Sequence, residues 1–372
     1  MSSNRFIVSG GGTGGHIFPA LSIADGLRSR FPDCEILFVG AEGKMEMEKV
    51  PAAGYSIVGL PVAGFHRGEI WRNLTFIPKL ISSMLKARKV VKEFNPDVVI
   101  GVGGYASGPV LRIAESLGIS TVLQEQNSFA GVTNKILGKK ANKICVAYDN
   151  MERFFPAEKI VFTGNPIRQG LISIVPKSHE AMEYFDIRSG SKVILIIGGS
   201  LGARVLNQSV LANLELISHS DVQIIWQTGK YYFQDIQAQM ELNPPSNVRV
   251  VEFIARMDLA YSVADLVISR AGAGSISELC AVGAASILVP SPNVSEDHQT
   301  FNARSLEEKG AAVMIKDSLA VEELIPAALD LLRNDEKCLS LSKNIKTLAT
   351  PNATNDIVDV IASLLKGKYD RN

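Results

Sequence analysis

Along the first half of the chain, short apolar runs alternate with stretches whose apolar residues recur at helical spacing. The runs are Phe6–Val8, Glu35–Val39, Tyr55–Leu60, Asp97–Val102, Thr121–Gln124 and Lys143–Val146. Behind the first of them Ala20, Ile23, Ala24, Leu27 and Phe31 fall on one helix face, with Pro19 expected in the first turn, where a missing N–H costs nothing. Short apolar strands separated by such helices predict βαβ units, and so a parallel sheet covered on both faces. The pattern restarts at Lys192–Ile197 and continues through Val222–Trp226, Val248–Phe253, Leu266–Ser269 and Ser286–Val289. That restart predicts a second doubly wound domain rather than a longer first sheet. At 372 residues the chain is also too long for one ordinary core. The changeover is expected near Gly164-Asn165-Pro166, giving domains over 1–164 and 165–352, with a polar insert through Lys177–Ser191. A last helix, about 353–372 and clearest at Asn355–Leu365, follows the breaker Pro351 and is expected to pack back onto the first domain.

Ligands of open parallel sheets bind beyond the carboxyl ends of the strands, so residues at those ends carry the candidate chemistry. The first strand runs into Gly10-Gly11-Gly12-Thr13-Gly14-Gly15-His16, in which five of the six residues 10–15 are glycine. Such a turn can crowd backbone N–H groups around a phosphate, and an imidazole held there can move a proton near neutral pH. Gly10-x-Gly12-x-x-Gly15 also matches the dinucleotide fingerprint, but the acid that would meet a ribose is poorly placed, with Glu42 falling 32 positions after Gly10. A second glycine-rich turn, Gly101–Gly108, and the polar cluster Gln124-Glu125-Gln126-Asn127 close two further strands. Close strand-to-helix packing is the alternative for the former, a hydrogen-bonded loop for the latter.

In the second half, Gly198-Gly199-Ser200-Leu201-Gly202 precedes a helix containing Val205, Leu206, Val210 and Leu211. Arg270-Ala271-Gly272-Ala273-Gly274-Ser275-Ile276-Ser277-Glu278 offers small residues and helix N–H groups to phosphates, and Glu278 to ribose hydroxyls. Ser275-x-x-Glu278 is equally a capping box, in which Glu278 only ties down a helix start. Glu296-Asp297-His298-Gln299 precedes another helix and offers sugar-binding groups, whereas His66, His179 and His219 read as surface residues. Two such domains with glycine loops at their strand ends predict a cleft between them.

Composition narrows the function classes. The chain is 46% hydrophobic and 20% charged, with 38 basic and 38 acidic residues, so no global field argues for nucleic acid. Cys34, Cys145, Cys280 and Cys338 are scattered, without zinc or redox spacing, which suits a reducing cytosol. The N-terminus runs straight into a strand with no signal peptide, and no apolar run reaches membrane-span length. Locally the balance breaks. Arg67, Arg72, Lys79, Lys86, Arg88, Lys89 and Lys92 face one acid, Glu69, among Ile70, Trp71, Leu74, Phe76, Ile77, Leu80, Ile81, Met84 and Leu85. A basic, apolar-rich helical stretch within Phe65–Phe94 reads as a surface for anionic lipid, or as a solvated helix whose apolar residues face the sheet.

Seven ordered motifs then resemble one family over nearly the whole chain. They are Gly11–His16, Gly103-Gly104-Tyr105, Glu125-Gln126-Asn127, Gly164-Asn165-Pro166-Ile167-Arg168, Gly198-Gly199-Ser200, Ala273–Glu278 and Asp297–Asn302. Together they look like the MurG family of peptidoglycan glycosyltransferases. The resemblance implies a GT-B fold, two Rossmann-like domains around a cleft. It implies inverting transfer of N-acetylglucosamine from UDP-N-acetylglucosamine to the muramyl C4 hydroxyl of lipid I, giving lipid II at the cytoplasmic face of the cell membrane. No cofactor and no metal are implied. Other cell-wall synthesis and division proteins are implied as partners.

By the same resemblance Arg168 and Ile254 surround the nucleoside, while Ser200 and Ala273, Gly274, Ser275, Ile276 and Ser277 hold the donor diphosphate. Glu278 takes the ribose, and Gln299 the sugar hydroxyls, with His298 one residue away as the alternative. Asn127 reaches the sugar from the first domain, and Thr13, Gly14 and Gly15 line the cleft. Gly12, Gly103 and Gly104 meet the acceptor diphosphate. Some members carry His before Glu-Gln-Asn where this chain has Gln124. His16 is therefore the expected base, with Glu125 second. Another GT-B nucleotide-sugar transferase acting on a lipid acceptor, a non-catalytic nucleotide-sugar-binding subunit and a nicotinamide oxidoreductase are the competing functions.

Overall fold

The computed structural model describes residues 3–12, 14–62, 76–167, 169–242 and 245–369. Its contacts divide the chain into two compact units, Met1–Ile167 with Pro351–Asn372, and Arg168–Thr350. Each unit is built around one sheet, and every recorded strand pair is parallel.

The first sheet contains β1 (Arg5–Ser9), β2 (Glu35–Ala41), β3 (Ser56–Leu60), β4 (Val98–Gly101), β5 (Ser120–Glu125), β6 (Lys143–Val146) and β7 (Ile160–Phe162). Their order is β3-β2-β1-β4-β5-β6-β7, so the direction of winding reverses between β1 and β4. Helices α1 (Gly14–Arg30), α2 (Glu46–Ala52), α3 (Phe76–Phe94), α4 (Ser107–Ser116) and α5 (Val132–Gly138) fill the crossovers. Successive β1 side chains point to opposite faces, which divides the core in two. Phe6 and Val8 pack with Ile23, Ala24 and Leu27 of α1 and with Ile357, Val358 and Ile361 of the C-terminal helix Ala353–Tyr369. Ile7 packs on the other side with Ala87 and Val91 of α3 and Val110, Leu111 and Ala114 of α4. Each such fully buried Leu, Ile or Val contributes roughly 1.5–3 kcal/mol relative to exposure.

The second sheet repeats the plan with β8 (Val193–Ile197), β9 (Gln223–Gln227), β10 (Val248–Val251), β11 (Leu266–Ser269), β12 (Ser286–Leu288) and β13 (Val313–Met314). The order β10-β9-β8-β11-β12-β13 reverses between β8 and β11. Its helices are α6 (His179–Phe185), α7 (Arg204–Ala212), α8 (Leu214–Ser218), α9 (Phe233–Leu242), α10 (Met257–Val263), α11 (Ala273–Val282), α12 (His298–Glu307), α13 (Ala320–Arg333) and α14 (Asp335–Thr347). Ile194 and Ile196 of β8 pack against Leu206 and Val210 of α7 and Leu324, Ile325 and Ala328 of α13.

Three local readings change. The first helix begins at Gly14, so Pro19 lies inside it and offers no N–H to the Gly15 carbonyl, while His16 sits in the opening turn. The stretch expected as a polar insert contains α6, capped where Ser178 Oγ accepts from the Ala181 N–H at 3.3 Å, with Ala181 and Phe185 buried beneath it. Edge strands β7 and β13 span only Ile160–Phe162 and Val313–Met314, too short to stand out as apolar runs. Among the described residues no helix is long and apolar enough to cross a membrane.

Candidate active site

The two glycine loops of the first unit leave β1 and β4, the strands that flank its winding reversal, and they press on one another there. A Cβ on Gly104 would lie 2.3 Å from the Gly11 carbonyl oxygen. One on Gly103 would lie 2.9 Å from His16 Nε2. The glycines are needed because backbone and imidazole already occupy the space that any side chain would take. Ser107 Oγ, 2.9 Å from the Ser9 carbonyl and 2.8 Å from that of Gly103, bridges the two loops from beneath. His16 is thus half-buried on the first turn of α1 with one ring edge packed on Gly103.

Glu46 was invisible to the sequence reading. It stands at the start of α2 and is 1% exposed. Its Oε1 accepts from the Ala41 N–H and its Oε2 from the Gly12 N–H, both at 2.9 Å. The Gly12 amide, expected to meet a phosphate, is therefore engaged by a carboxylate of the chain itself. Glu42, the poorly spaced acid of the dinucleotide fingerprint, pairs instead with Lys86 of α3 at 2.7 Å.

The polar cluster after β5 is a closed network. Gln124 Nε2 donates to Asn165 Oδ1 at 2.8 Å, Asn165 Nδ2 to the Gln126 carbonyl at 3.0 Å, and Gln126 Nε2 to the Val102 carbonyl at 2.6 Å. Glu125 is 2% exposed. Its Oε1 accepts from the Asn127 N–H (3.1 Å) and Nδ2 (3.3 Å), and its Oε2 from the Gly131 N–H (3.2 Å) and Asn134 Nδ2 (2.9 Å). Burial pushes its carboxyl up from the ordinary value, and these four donors oppose that. A carboxylate so enclosed orients Asn127, which is itself half-buried, and is badly placed to receive a substrate proton.

In the second unit the loops again leave the reversal strands, but they diverge. The β8 loop leans onto the loop after β9: a Cβ on Gly202 would lie 2.2 Å from the Thr228 carbonyl oxygen, and the Lys230 N–H donates to the Ser200 carbonyl at 3.1 Å. Ser200 is left exposed. The β11 loop runs straight into α11, whose N-cap residue is Gly272 and whose first internal bond is Ile276 N–H to the Gly272 carbonyl, 3.0 Å. The N–H groups of Ala273, Gly274 and Ser275 precede that bond and receive no side-chain cap, and a Cβ on Gly274 would meet nothing within 4 Å. Such a helix start attracts anions. Ser275 thus lies inside the helix and not at its N-cap, so the capping-box reading of Ser275-x-x-Glu278 fails. Glu278, half-buried a turn later, accepts from Tyr261 OH at 3.2 Å.

The remaining predicted positions fall around these loops. Arg270 anchors the β11 end through Asp317 (2.5 Å) and the Val289 carbonyl (3.1 Å). Ala273 and Ile276 are buried, Ser277 Oγ donates back to the Ala273 carbonyl at 2.9 Å, and Ile254 is buried just beyond β10. Gln299 Oε1 accepts from the Ser291 N–H at 2.9 Å, while His298 opens α12 behind Glu296 and Asp297, both in the left-handed region at φ 59° and 51°. Thr13, Arg168 and His66 lie outside the described residues, as does the basic stretch before α3; the turn Gln169–Leu171 that follows Arg168 packs against α11. His179 and His219 are exposed. Burial pushes the Cys145 and Cys280 thiols up to about 12, which leaves them poor nucleophiles. Among the described residues no group of three His, Cys, Asp or Glu could hold a metal ion.

Twin doubly wound units with glycine-rich loops at both winding reversals make up the GT-B architecture. Residues 6–146 match the glycosyltransferase family 28 N-terminal domain and residues 193–357 the family 28 C-terminal domain. The chain is 56% identical over 368 residues to the UDP-N-acetylglucosamine--N-acetylmuramyl-(pentapeptide) pyrophosphoryl-undecaprenol N-acetylglucosamine transferase of Parabacteroides distasonis, covering 99% of this chain and 100% of that one. The protein of the same name from Flavobacterium psychrophilum is 54% identical, with 99% and 100% covered. The crystal structure of MurG from Acinetobacter baumannii superposes with a TM-score of 0.78 at 32% identity, over 97% of this chain and 99% of that one. The chain belongs to the MurG family of N-acetylglucosamine transferases.

Proposed function

We infer that this enzyme transfers N-acetylglucosamine from UDP-N-acetylglucosamine to the C4 hydroxyl of the muramyl sugar of undecaprenyl-diphosphate-linked lipid I, with inversion. The observation that carries the reading is the uncapped start of α11 at the second unit's winding reversal with Glu278 a turn later, N–H donors and a carboxylate suited to a nucleoside diphosphate. The acceptor hydroxyl attacks the anomeric carbon, and its proton passes to His16. The bond from that carbon to the diphosphate oxygen breaks, and UDP leaves with the electron pair. The charge that develops on the diphosphate meets the N–H groups of Ala273, Gly274 and Ser275, and the exposed Ser200 offers its hydroxyl from the β8 loop. Glu278 accepts from ribose hydroxyls, Arg168 and Ile254 surround the base, and Gln299 and Asn127 hold the sugar. Gly103 and Gly104 approach the acceptor diphosphate, and Thr13, Gly14 and Gly15 line the reacting face. Incubation with labelled UDP-N-acetylglucosamine and a lipid I analogue tests the reading: label must enter a lipid-extractable product, and its absence from that fraction refutes the reading.

A lipid-linked acceptor calls for a membrane surface, and we propose that α3 supplies it at the cytoplasmic face. Ser83, Ala87 and Val91 face inward on this helix, whereas Leu80, Ile81 and Leu85 (65% exposed) stand outward among Lys79, Lys86, Arg88, Lys89 and Lys92. Exposed apolar side chains ringed by cations suit an anionic interface. Replacing Lys86, Arg88 and Lys89 with Gln is expected to reduce retention on anionic vesicles at low salt, each charge near the surface being worth about 1 kcal/mol. Unchanged retention in a flotation assay moves the docking face elsewhere.

A further inference from the structure

We propose that Glu46 is the positioning residue of the first glycine loop: its carboxylate occupies the place of a loop-bound anion and holds His16 in the geometry of the transfer step. The inference rests on the reading of His16 as the base. A carboxylate 1% exposed is retained only where donors satisfy it, and here both oxygens accept backbone N–H groups from different segments. Ala41 ends β2, and Gly12 lies in the loop after β1, 34 residues away from Glu46. Two glycines are shaped around the side chain. A Cβ on Gly11 would lie 2.1 Å from Glu46 Oε1, and one on Gly40 would lie 2.6 Å from its Cγ. The socket therefore fits this acid and leaves no room for it to move.

The tie reaches the reacting group through packed neighbours. Gly11 abuts Gly104, Gly103 abuts the His16 ring, and α1 starts at Gly14, two residues beyond the amide that Glu46 holds. Loss of the tie at Gly12 frees the segment whose far end carries the imidazole. A carboxamide cannot replace it, since an amide presents one acceptor and one donor while the site needs two acceptors. With its own anion in place, the loop also gives the Gly12 amide no part in holding the acceptor diphosphate.

The test compares Glu46→Gln, Glu46→Ala and His16→Ala in the transfer assay, each below its measured Tm. Glu46→Gln is expected to lower kcat about tenfold or more while the KM for UDP-N-acetylglucosamine stays within about twofold, because the groups that hold the nucleotide belong to the other unit. Added formate is expected to restore kcat of Glu46→Ala several-fold, where the same concentration of chloride does not, because formate supplies the two missing acceptors. A purely structural role would lower Tm and leave the kcat of the folded protein unmoved. Wild-type kcat in Glu46→Gln overturns the proposal, as does a loss expressed equally in donor KM, or a folded Glu46→Ala that formate does not rescue. Should Glu46→Ala not fold, Glu46→Gln decides alone. If His16→Ala keeps its turnover, the reading of the loop fails; if only Glu46→Gln keeps it, the loop reading stands and Glu46 is not the positioning residue.

Discussion

The two winding reversals of this molecule share a topology and differ in how their loops are held. At the first, the loops after β1 and β4 lock together: Gly104 lies on Gly11, Gly103 on the His16 ring, and Glu46 takes the Gly12 N–H. At the second, the β8 loop packs away onto the loop after β9, and the start of α11 keeps three backbone N–H groups without a side-chain cap. One site is pre-organised around its own side chains, and the other is left open for an incoming anion. A base needs a fixed position to receive a proton, whereas a departing diphosphate needs donors that the protein has not already used. The same glycine-rich signature thus accompanies interlocked loops in one unit and an uncapped helix start in the other.

The largest expected effect falls on the locked site. His16→Ala should cut kcat by about 10²–10⁴-fold with nucleotide affinity retained; normal turnover with substrates bound would remove the base from this loop. A matched pair of glycine substitutions tests the contrast itself. Gly104→Ala, which drives a methyl group into the Gly11 carbonyl from a backbone at φ 85°, should cost about 1–3 kcal/mol and lower Tm by several degrees. Gly274→Ala meets open space on a helix and should leave stability unchanged or raise it by up to about 1 kcal/mol, so that Tm holds or rises, while raising the KM for UDP-N-acetylglucosamine. Equal thermal denaturation curves for the two variants would erase the distinction between a clamped and an open site. Glu278→Ala comes next, with donor affinity expected to weaken about tenfold in calorimetry. Unchanged nucleotide binding would remove the ribose role from Glu278.

The smallest effect concerns a buried carboxyl near the C-terminal end of α4. The Glu115 side chain is 5% exposed on α4, with Arg112 3.5 Å away. Burial raises its folded pKa above the ordinary 4.5, with Arg112 opposing. The folded protein then keeps this proton to higher pH than the unfolded chain does. The associated stability is complete below 4.5 and is lost as pH rises through the folded value. Glu115→Gln removes that loss, so Tm should rise by about 1–2 °C near neutral pH and stay unchanged at about pH 4. A gain of equal size at both values would assign the effect to packing.

Much of this was readable in the sequence. Central strands such as Phe6–Val8 and Ile194–Ile197 are near-continuous apolar runs because helices cover both faces, so burial writes them directly into composition. Edge strands β7 and β13, partly exposed and very short, leave no such run. The glycine loops were visible as motifs, and the family resemblance rested on their order. Their different uses were not visible. Ser275-x-x-Glu278 satisfies a capping pattern in sequence, yet the helix starts at Ala273 with Gly272 as its N-cap, and only that register decides what Ser275 does.

The sequence by itself determined two α/β units, the strands at their centres, and the glycine-rich turns at their strand ends. These depend on local periodicity and on the backbone freedom of glycine. Only the tertiary structure decided which turns would close on each other and which would stay open. That depends on Glu46 reaching back 34 residues to Gly12, and on crossovers that set β4 beside β1 and β11 beside β8. A backbone N–H finds its partner through space, and no pattern of neighbours along the chain specifies it.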